Sequence, residues 1–431
     1  MKIKTKKRSY GEVASIQPQK HKKPRRQSAF FRFVMRVASI PDLWATGFLV
    51  RKVGMEKLGR REPCLVLMNH SSFIDLEIAA TLLFPRPYHI VCTSDGVVGK
   101  NLLMRLLGCI PTKKFVFDLG LIRDITYAIR ELKSSVLLYP EASYSFDGTA
   151  TPIPETVGQL IKRLGVPVVM IRTEGAFARQ PLYNNLRKRK VKVSADMIYL
   201  LSPEEIEQKS AEEIMEVLNA QFSFDHFAWQ RENRVRIADA NRAECLHRVL
   251  YKCPACLAEG KTEGVGETLT CHACGKVYRM DEYGSMKAET GETEFSHIPD
   301  WYAWERAEVK RELEAGIYRL DTAVDICMLV DTKCIYRVGD GRLVHTADGF
   351  HLTGCDGMLD YEQKPLASYS LYADYYWYEL GDVICIGNHR ALYYCFPKDP
   401  SVPVAKARLA AEELYRLVRR EKLSNPPKAR G

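Results

Sequence analysis

The sequence predicts an α/β domain, then a small cysteine-rich insert, then a C-terminal antiparallel β domain closed by a helix. Three observations carry this. Short apolar runs alternate with helix-spaced apolar residues from Leu65 to about residue 200, as a sheet flanked by helices requires. Two Cys-x-x-Cys pairs then fall at 253–256 and 271–274. Beyond residue 320, strand-like runs are separated by turns such as Gly339-Asp340-Gly341, and an amphipathic stretch follows them. With 431 residues, 46% hydrophobic and 27% charged, the composition is globular and the length predicts two or three domains.

Residues 1–28 set ten lysines and arginines against the single acid Glu12 and supply much of the net charge of +10. This composition predicts a basic, disordered tail. Such a tail is drawn to anionic lipid head groups by about 1 kcal/mol per basic residue near the surface, and equally to nucleic acid. The next segment alternates Phe30, Phe31, Phe33, Val34 and Val37 with Arg32 and Arg36. It reads as an interfacial amphipathic helix, or else as an ordinary helix packed on the domain. No run approaches the ~18 apolar residues of a membrane span, and the N-terminus lacks the apolar core and cleavage site of a secretory signal. The expectation is a cytoplasmic protein, peripheral on the inner face of the membrane, with no transmembrane helix and no signal peptide.

Candidate strands are 65–68, 89–92, 136–139, 166–172 and 191–200, with a helix at 119–132 between two of them. The run 65–68 gives way directly to Asn69, His70, Ser71 and Ser72, and then to Ile74, Ile78 and Leu82 at helical spacing. Ser71 or Ser72 can cap that helix. His70 then stands on the turn and Asp75 in the first helical turn, where the two side chains can meet. A carboxylate on one imidazole nitrogen fixes the tautomer, so that the other can take a proton from a hydroxyl. A histidine at a strand end is more often a hydrogen-bonded structural residue, so other segments must decide.

Those segments are NHSSFID at 69–75, GCIPTKK at 108–114, YPEAS at 139–143 and VPVVMI at 166–171. In this order they resemble the four blocks of the glycerolipid acyltransferase family, best known for the 1-acylglycerol-3-phosphate acyltransferases, over residues 45–200. The resemblance implies an acyltransferase-type mixed sheet flanked by helices. It also implies transfer of a fatty acyl group from acyl-CoA or acyl carrier protein to a hydroxyl of a lysophospholipid-type acceptor, 1-acylglycerol-3-phosphate foremost. His70 would be the base and Asp75 its partner, with backbone donors near the turn after His70 stabilising the oxyanion. Asn69, Ser71, Ser72, Gly108, Lys113, Lys114, Pro140, Glu141 and Ser143 would form the substrate-binding set.

The match departs from the family at instructive places. Lys114 stands where the family usually has a phosphate-binding arginine, keeping the charge without the two-toothed grip. In the third block the family's Phe-Pro-Glu-Gly-Thr-Arg-Ser appears as Tyr139-Pro140-Glu141-Ala142-Ser143-Tyr144-Ser145. Tyr144 thus removes one expected phosphate contact, and Glu141 can either accept from an acceptor hydroxyl or orient the loop. Met170 replaces a frequent second proline in a strand expected to line the acyl site. The GxSxG elbow of a lipase-like route is absent from the sequence. The altered third block leaves room for a second reading, a catalytically inactive lipid-binding or scaffolding protein at the membrane surface.

After 29–225, the acyltransferase-like domain, a connecting helix is expected at 226–250. In 251–280, Cys253, Cys256, Cys271 and Cys274 supply four thiolates, the closed set of a structural zinc site, and the segment resembles a zinc ribbon. Glu259, Glu263, Glu267, Asp281, Glu282 and Glu289 around it would repel a phosphate backbone, so no nucleic acid partner is expected and holding domains together fits better. Residues 281–297 read as a linker. From 298 to 423 come a helix near 300–315, strand runs at 323–330, 334–338, 350–353, 368–377, 382–386 and 391–396, and a helix near 401–422. That order resembles a pleckstrin-homology-like barrel. The aromatic cluster from Tyr369 to Tyr378 reads as alternating core and surface of one strand.

Overall fold

The computed structural model describes residues 2–17, 19–116 and 118–424. Leaving aside strand β1 (Thr5–Lys7), the first sheet comprises β2 (Leu49–Val53), β3 (Leu65–Met68), β4 (Tyr88–Thr93), β5 (Cys109–Thr112), β6 (Ser135–Leu138), β7 (Val168–Glu174) and β8 (Ser194–Leu201). Its order is β2-β8-β7-β3-β6-β4-β5, and only the β7–β8 pair is antiparallel. The central strand β3 is fully buried because both of its faces are covered, which explains its unbroken apolar run. Val66 and Met68 pack with Ile74, Ile78 and Leu83, while Leu65 and Leu67 pack with Ile125, Ile129 and Ile161.

The five expected strands and the 119–132 helix are present, the helix as Leu119–Arg130. Strands β2 and β5 escaped the pattern. Every residue of β2 is exposed at the sheet edge, and β5 carries Pro111, which an edge strand tolerates.

The insert is a four-stranded antiparallel sheet, β9 (Thr262–Val265), β10 (Thr268–Cys271), β11 (Val277–Met280) and β12 (Met286–Ala288), in the order β12-β11-β10-β9. Strand β12 lies inside the expected linker, which is therefore structured: Met286 and Ala288 are buried and the strand pairs with β11. The expected helix 226–250 also shrinks, to His226–Glu232. Positive φ at Arg234 and Cys245 breaks the helical path. The remaining chain lays Ala243, Leu246, Val249 and Leu250 into the core shared with the insert.

The last sheet holds β13 (Leu320–Leu329), β14 (Ile335–Thr346), β15 (Gly349–Gly354), β16 (Leu359–Gln363), β17 (Tyr372–Trp377), β18 (Gly381–Gly387) and β19 (Leu392–Pro397), in the order β16-β15-β14-β13-β19-β18-β17. Helices Ile298–Glu314 and Val404–Ser424 pack beside it. One apolar cluster joins Phe146 and Phe177 of the first lobe, Leu269 and Tyr278 of the insert, and Val324 and Leu409 of the last.

The basic tail is ordered over its described residues, against expectation. Strand β1 pairs in parallel with β14, from Thr5 opposite Ile335 to Lys7 opposite Arg337. A short helix, Tyr10–Ala14, follows with a Ser9/Glu12 capping box, and Val13 is fully buried. The chain then crosses to the first sheet, where the Gln27 amide donates to the Leu107 carbonyl at 2.9 Å. Charge density suggested a solvated leader; main-chain pairing and a few apolar anchors override it.

Candidate active site

Strands β3, β4, β5 and β6 end on the same side of the sheet, where α/β folds open a crevice. The turn after β3 carries His70. Its Nδ1 lies 3.1 Å from Asp75 Oδ2. That oxygen also accepts the Ser71 amide at 2.7 Å and the Ser72 amide at 3.0 Å. The carboxylate thus ties the preceding turn to the first turn of the helix Ile74–Leu83, whose N-cap Phe73 has no side-chain cap, so no serine hydroxyl caps it, contrary to expectation. Asp75 is fully buried, whereas the His70 side chain is 18% exposed toward a cavity. Because Asp75 can only accept, Nδ1 carries the proton and Nε2 is left as a base.

Two tyrosines sandwich the imidazole: Tyr139 stacks on it at 4.0 Å between centroids and Tyr144 lies against it at 4.2 Å. Burial pushes the His70 pKa down; Asp75 pulls it back up, and the Lys114 charge lowers it further. Glu141 fixes the turn. Its Oε2 accepts the His70 amide at 3.0 Å and its Oε1 the Thr151 amide at 2.9 Å, and burial raises its pKa to about 7. Of its two expected roles, orienting the loop is the one the geometry displays.

The cavity measures about 1200 Å³ and is lined mostly by apolar and aromatic groups. Beside His70 it is bordered by Phe73, Leu76, Ile90, Leu138 and Pro140 from the first lobe. Tyr369, Tyr372 and Asp374 of the last domain, with Arg416 and Arg419 of the final helix, complete the wall. Lys113 and Lys114 follow β5. The Lys113 ammonium donates to the His389 carbonyl at 2.6 Å, and Lys114 Nζ sits 4.1 Å above the Tyr372 ring.

Several residues of the expected substrate-binding set lie off the cavity wall. The Asn69 side chain bonds the main chain of Thr173, and the Ser71 hydroxyl lies 3.1 Å from His226 Nε2. Ser72 and Ser143 are buried, each with a hydroxyl that has no partner. Gly108 turns the chain at φ +84 directly before β5, where a Cβ would stand 2.8 Å from the Tyr88 carbonyl. Asn69, Ser71 and Gly108 are thus engaged within the fold around the turn and β5. The amides after His70, expected to stabilise an oxyanion, are occupied by Asp75.

Residues 49–173 match the family model described as Acyltransferase. The matched stretch includes the turn that carries His70 and Asp75. The chain is also similar to the crystal structure of the 1-acyl-sn-glycerophosphate (LPA) acyltransferase PlsC from Thermotoga maritima, at 16% identity and a TM-score of 0.35. That similarity covers 44% of this chain and 78% of the other. No curated protein matches the chain.

Sequence reasoning missed the contribution of the last domain to the cavity beside His70. The signal was the density of tyrosines around Asp374, which alternation alone assigned to a strand. It also missed the Tyr139–His70–Tyr144 stack. In the insert, the sulfurs of Cys253, Cys256, Cys271 and Cys274 all lie within 4.8 Å of one another, a set that could hold a metal ion. Sγ separations of 3.8 Å for Cys253–Cys274 and 3.7 Å for Cys256–Cys271 fit the edge of a tetrahedron with ~2.3 Å metal–sulfur bonds.

Proposed function

We propose that the protein moves a fatty acyl group from a thioester, acyl-CoA or acyl carrier protein, to a hydroxyl of a lysolipid-type acceptor. The observation that carries this is the His70–Asp75 pair opening on a large apolar cavity within an acyltransferase domain. His70 Nε2 takes the hydroxyl proton as the oxygen attacks the thioester carbonyl. The tetrahedral intermediate collapses, the carbon–sulfur bond breaks, and the imidazolium returns the proton to the leaving thiolate. Asp75 holds the tautomer and balances the imidazolium charge. The apolar wall takes the acyl chains.

The membrane is the proposed source of the acceptor. Helix Ala29–Ala45 exposes Phe30, Phe33, Val37, Ile40 and Trp44, the last at 84%, beside Arg32 and Arg36. Edge strand β2 adds exposed Leu49 and Val53. Apolar side chains with flanking arginines suit an anionic interface. No helix among the described residues is long and apolar enough to cross a membrane.

The four-cysteine set is proposed to hold structural zinc. Four sulfurs leave no position for substrate or water, so its role is to lock the β9–β12 sheet between the other two bodies. The strand order of the last domain and its closing helix support the pleckstrin-homology-like reading, with its role here the completion of the catalytic cavity.

The test is product analysis. Incubation with palmitoyl-CoA and a monoacyl lipid should yield a diacyl product and one thiol per ester formed. Lipid binding with neither product overturns the enzymatic reading in favour of a scaffold.

A further inference from the structure

The acyl-transfer reading leaves open which head group the acceptor carries, and the following inference rests on that reading. The last domain forms part of the cavity wall, and β17 is fastened there. The Tyr372 hydroxyl donates to Asp95 Oδ2 at 2.6 Å and the Trp377 indole donates to the same oxygen at 3.2 Å. Asp95 lies in the turn after β4 of the acyltransferase domain. Between those two anchors, β17 presents Asp374 to the cavity.

The cations around this cavity are largely claimed. Lys113 is held by the His389 carbonyl. Arg416 pairs with Glu413 at 2.6 Å, and Arg419 pairs with Glu155. Lys114 remains, above the Tyr372 ring. Burial lowers its pKa while the carboxylates of Asp374 and Asp95 raise it. Burial in turn raises Asp374 to about 6, with Lys114 as the first charge opposing that shift. Tyr144, which stands where the third block of the resemblance has an arginine, is uncharged and lies against His70. Its phenol feels both Asp75 and Asp374.

A phosphate monoester at this end of the cavity would meet one ammonium already balanced by acids, and would meet the Asp374 carboxylate in a desolvated setting. Like charges brought together there repel each other with little water to screen them. Hydroxyl groups meet no such opposition. The lysine donates to them, the carboxylate accepts from them, and tyrosine phenols do either.

We propose that the acceptor carries an uncharged, hydroxyl-bearing head group, read by Lys114 and Asp374 together, and that Asp374 excludes phosphate-bearing acceptors. This departs from the 1-acylglycerol-3-phosphate favoured by the sequence resemblance, and it makes a residue of the last domain the determinant of specificity.

The experiment measures thiol release from palmitoyl-CoA by the full chain with three acceptors: 1-oleoylglycerol, a monoacylated glucosylglycerol, and 1-oleoylglycerol-3-phosphate. The expected result is a kcat/KM at least about tenfold higher for one of the two neutral acceptors than for the phosphate; which neutral acceptor leads separates a glycerol from a sugar head group. Asp374→Asn should narrow that ratio, and Tyr144→Arg, which adds a cation beside His70, should raise use of the phosphate independently. Preference for the phosphate by the unmodified chain, or a ratio unmoved by both variants, overturns this inference alone. Thiol release with none of the acceptors overturns the acyl-transfer reading and this inference with it.

Discussion

Asp75 Oδ2 serves three donors at once: His70 Nδ1 at 3.1 Å and the amides of Ser71 and Ser72 at 2.7 and 3.0 Å. The fixing of the turn after β3 and the orientation of the base therefore share one oxygen. Asp75→Asn keeps the shape but can no longer satisfy all three donors with one oxygen, and it favours the wrong imidazole tautomer. Its kcat should fall by about a hundredfold or more. Asp75→Ala should in addition lower stability by a few kcal/mol, because two buried amides lose their acceptor. Denaturant unfolding of both variants beside their kinetics separates the two effects.

The pH dependence of kcat/KM follows from the environment of His70. Only the neutral ring can accept the hydroxyl proton. Burial, with the Lys114 charge in support, lowers its pKa against the upward pull of Asp75. The acidic limb of the profile should therefore fall below the ~6.5 of a free histidine. A Lys114→Met variant should move that limb upward, provided acceptor is saturating.

Two buried histidines link the fold to pH. Burial pushes His226 down to about 4 and His345 to about 3. Their folded pKa values lie below the unfolded ~6.5, so their contribution is fully present above pH 6.5 and is lost as pH falls toward 4 and 3. His226→Gln retains a donor toward Ser71 but cannot titrate. The stability gap between wild type and this variant should close, or reverse, between pH 6.5 and 4, read by urea unfolding.

How far the sequence revealed all this depends on the kind of signal. Strand β3, the turn and the His70–Asp75 meeting were legible because a buried central strand and an adjacent helix start are local patterns. The four cysteines were legible for the same reason. Strand β12 was hidden in a polar stretch, where only Met286 and Ala288 of its three residues are buried, and the helix at 226–250 was misjudged because nothing in its composition marks the positive φ at Arg234 and Cys245. The pairing of β1 with residues 335–337 is a contact across most of the chain, invisible to a reading of charge. Asp374 belongs to the same class: only the folded chain brings it to the cavity that His70 faces.

The third block offers a backbone test. Ala142 occupies the family's glycine position and adopts φ +55, a left-handed conformation that costs a side-chain-bearing residue about 1 kcal/mol relative to glycine. Ala142→Gly should raise the thermal midpoint by about 1 °C without loss of activity, measured by calorimetry and thiol release.

The four cysteines predict about one zinc per chain by atomic absorption. Cys271→Ser should release it and lower the unfolding midpoint, since the β9–β12 sheet shares its apolar cluster with both neighbours.

The central claim is that His70 is the base, and the most direct measurement is thiol release by His70→Ala under conditions where the wild type turns over. The account predicts a rate lower by about 10² to 10⁴ with an unchanged unfolding midpoint. A variant that releases thiol and forms ester at the wild-type rate would contradict it.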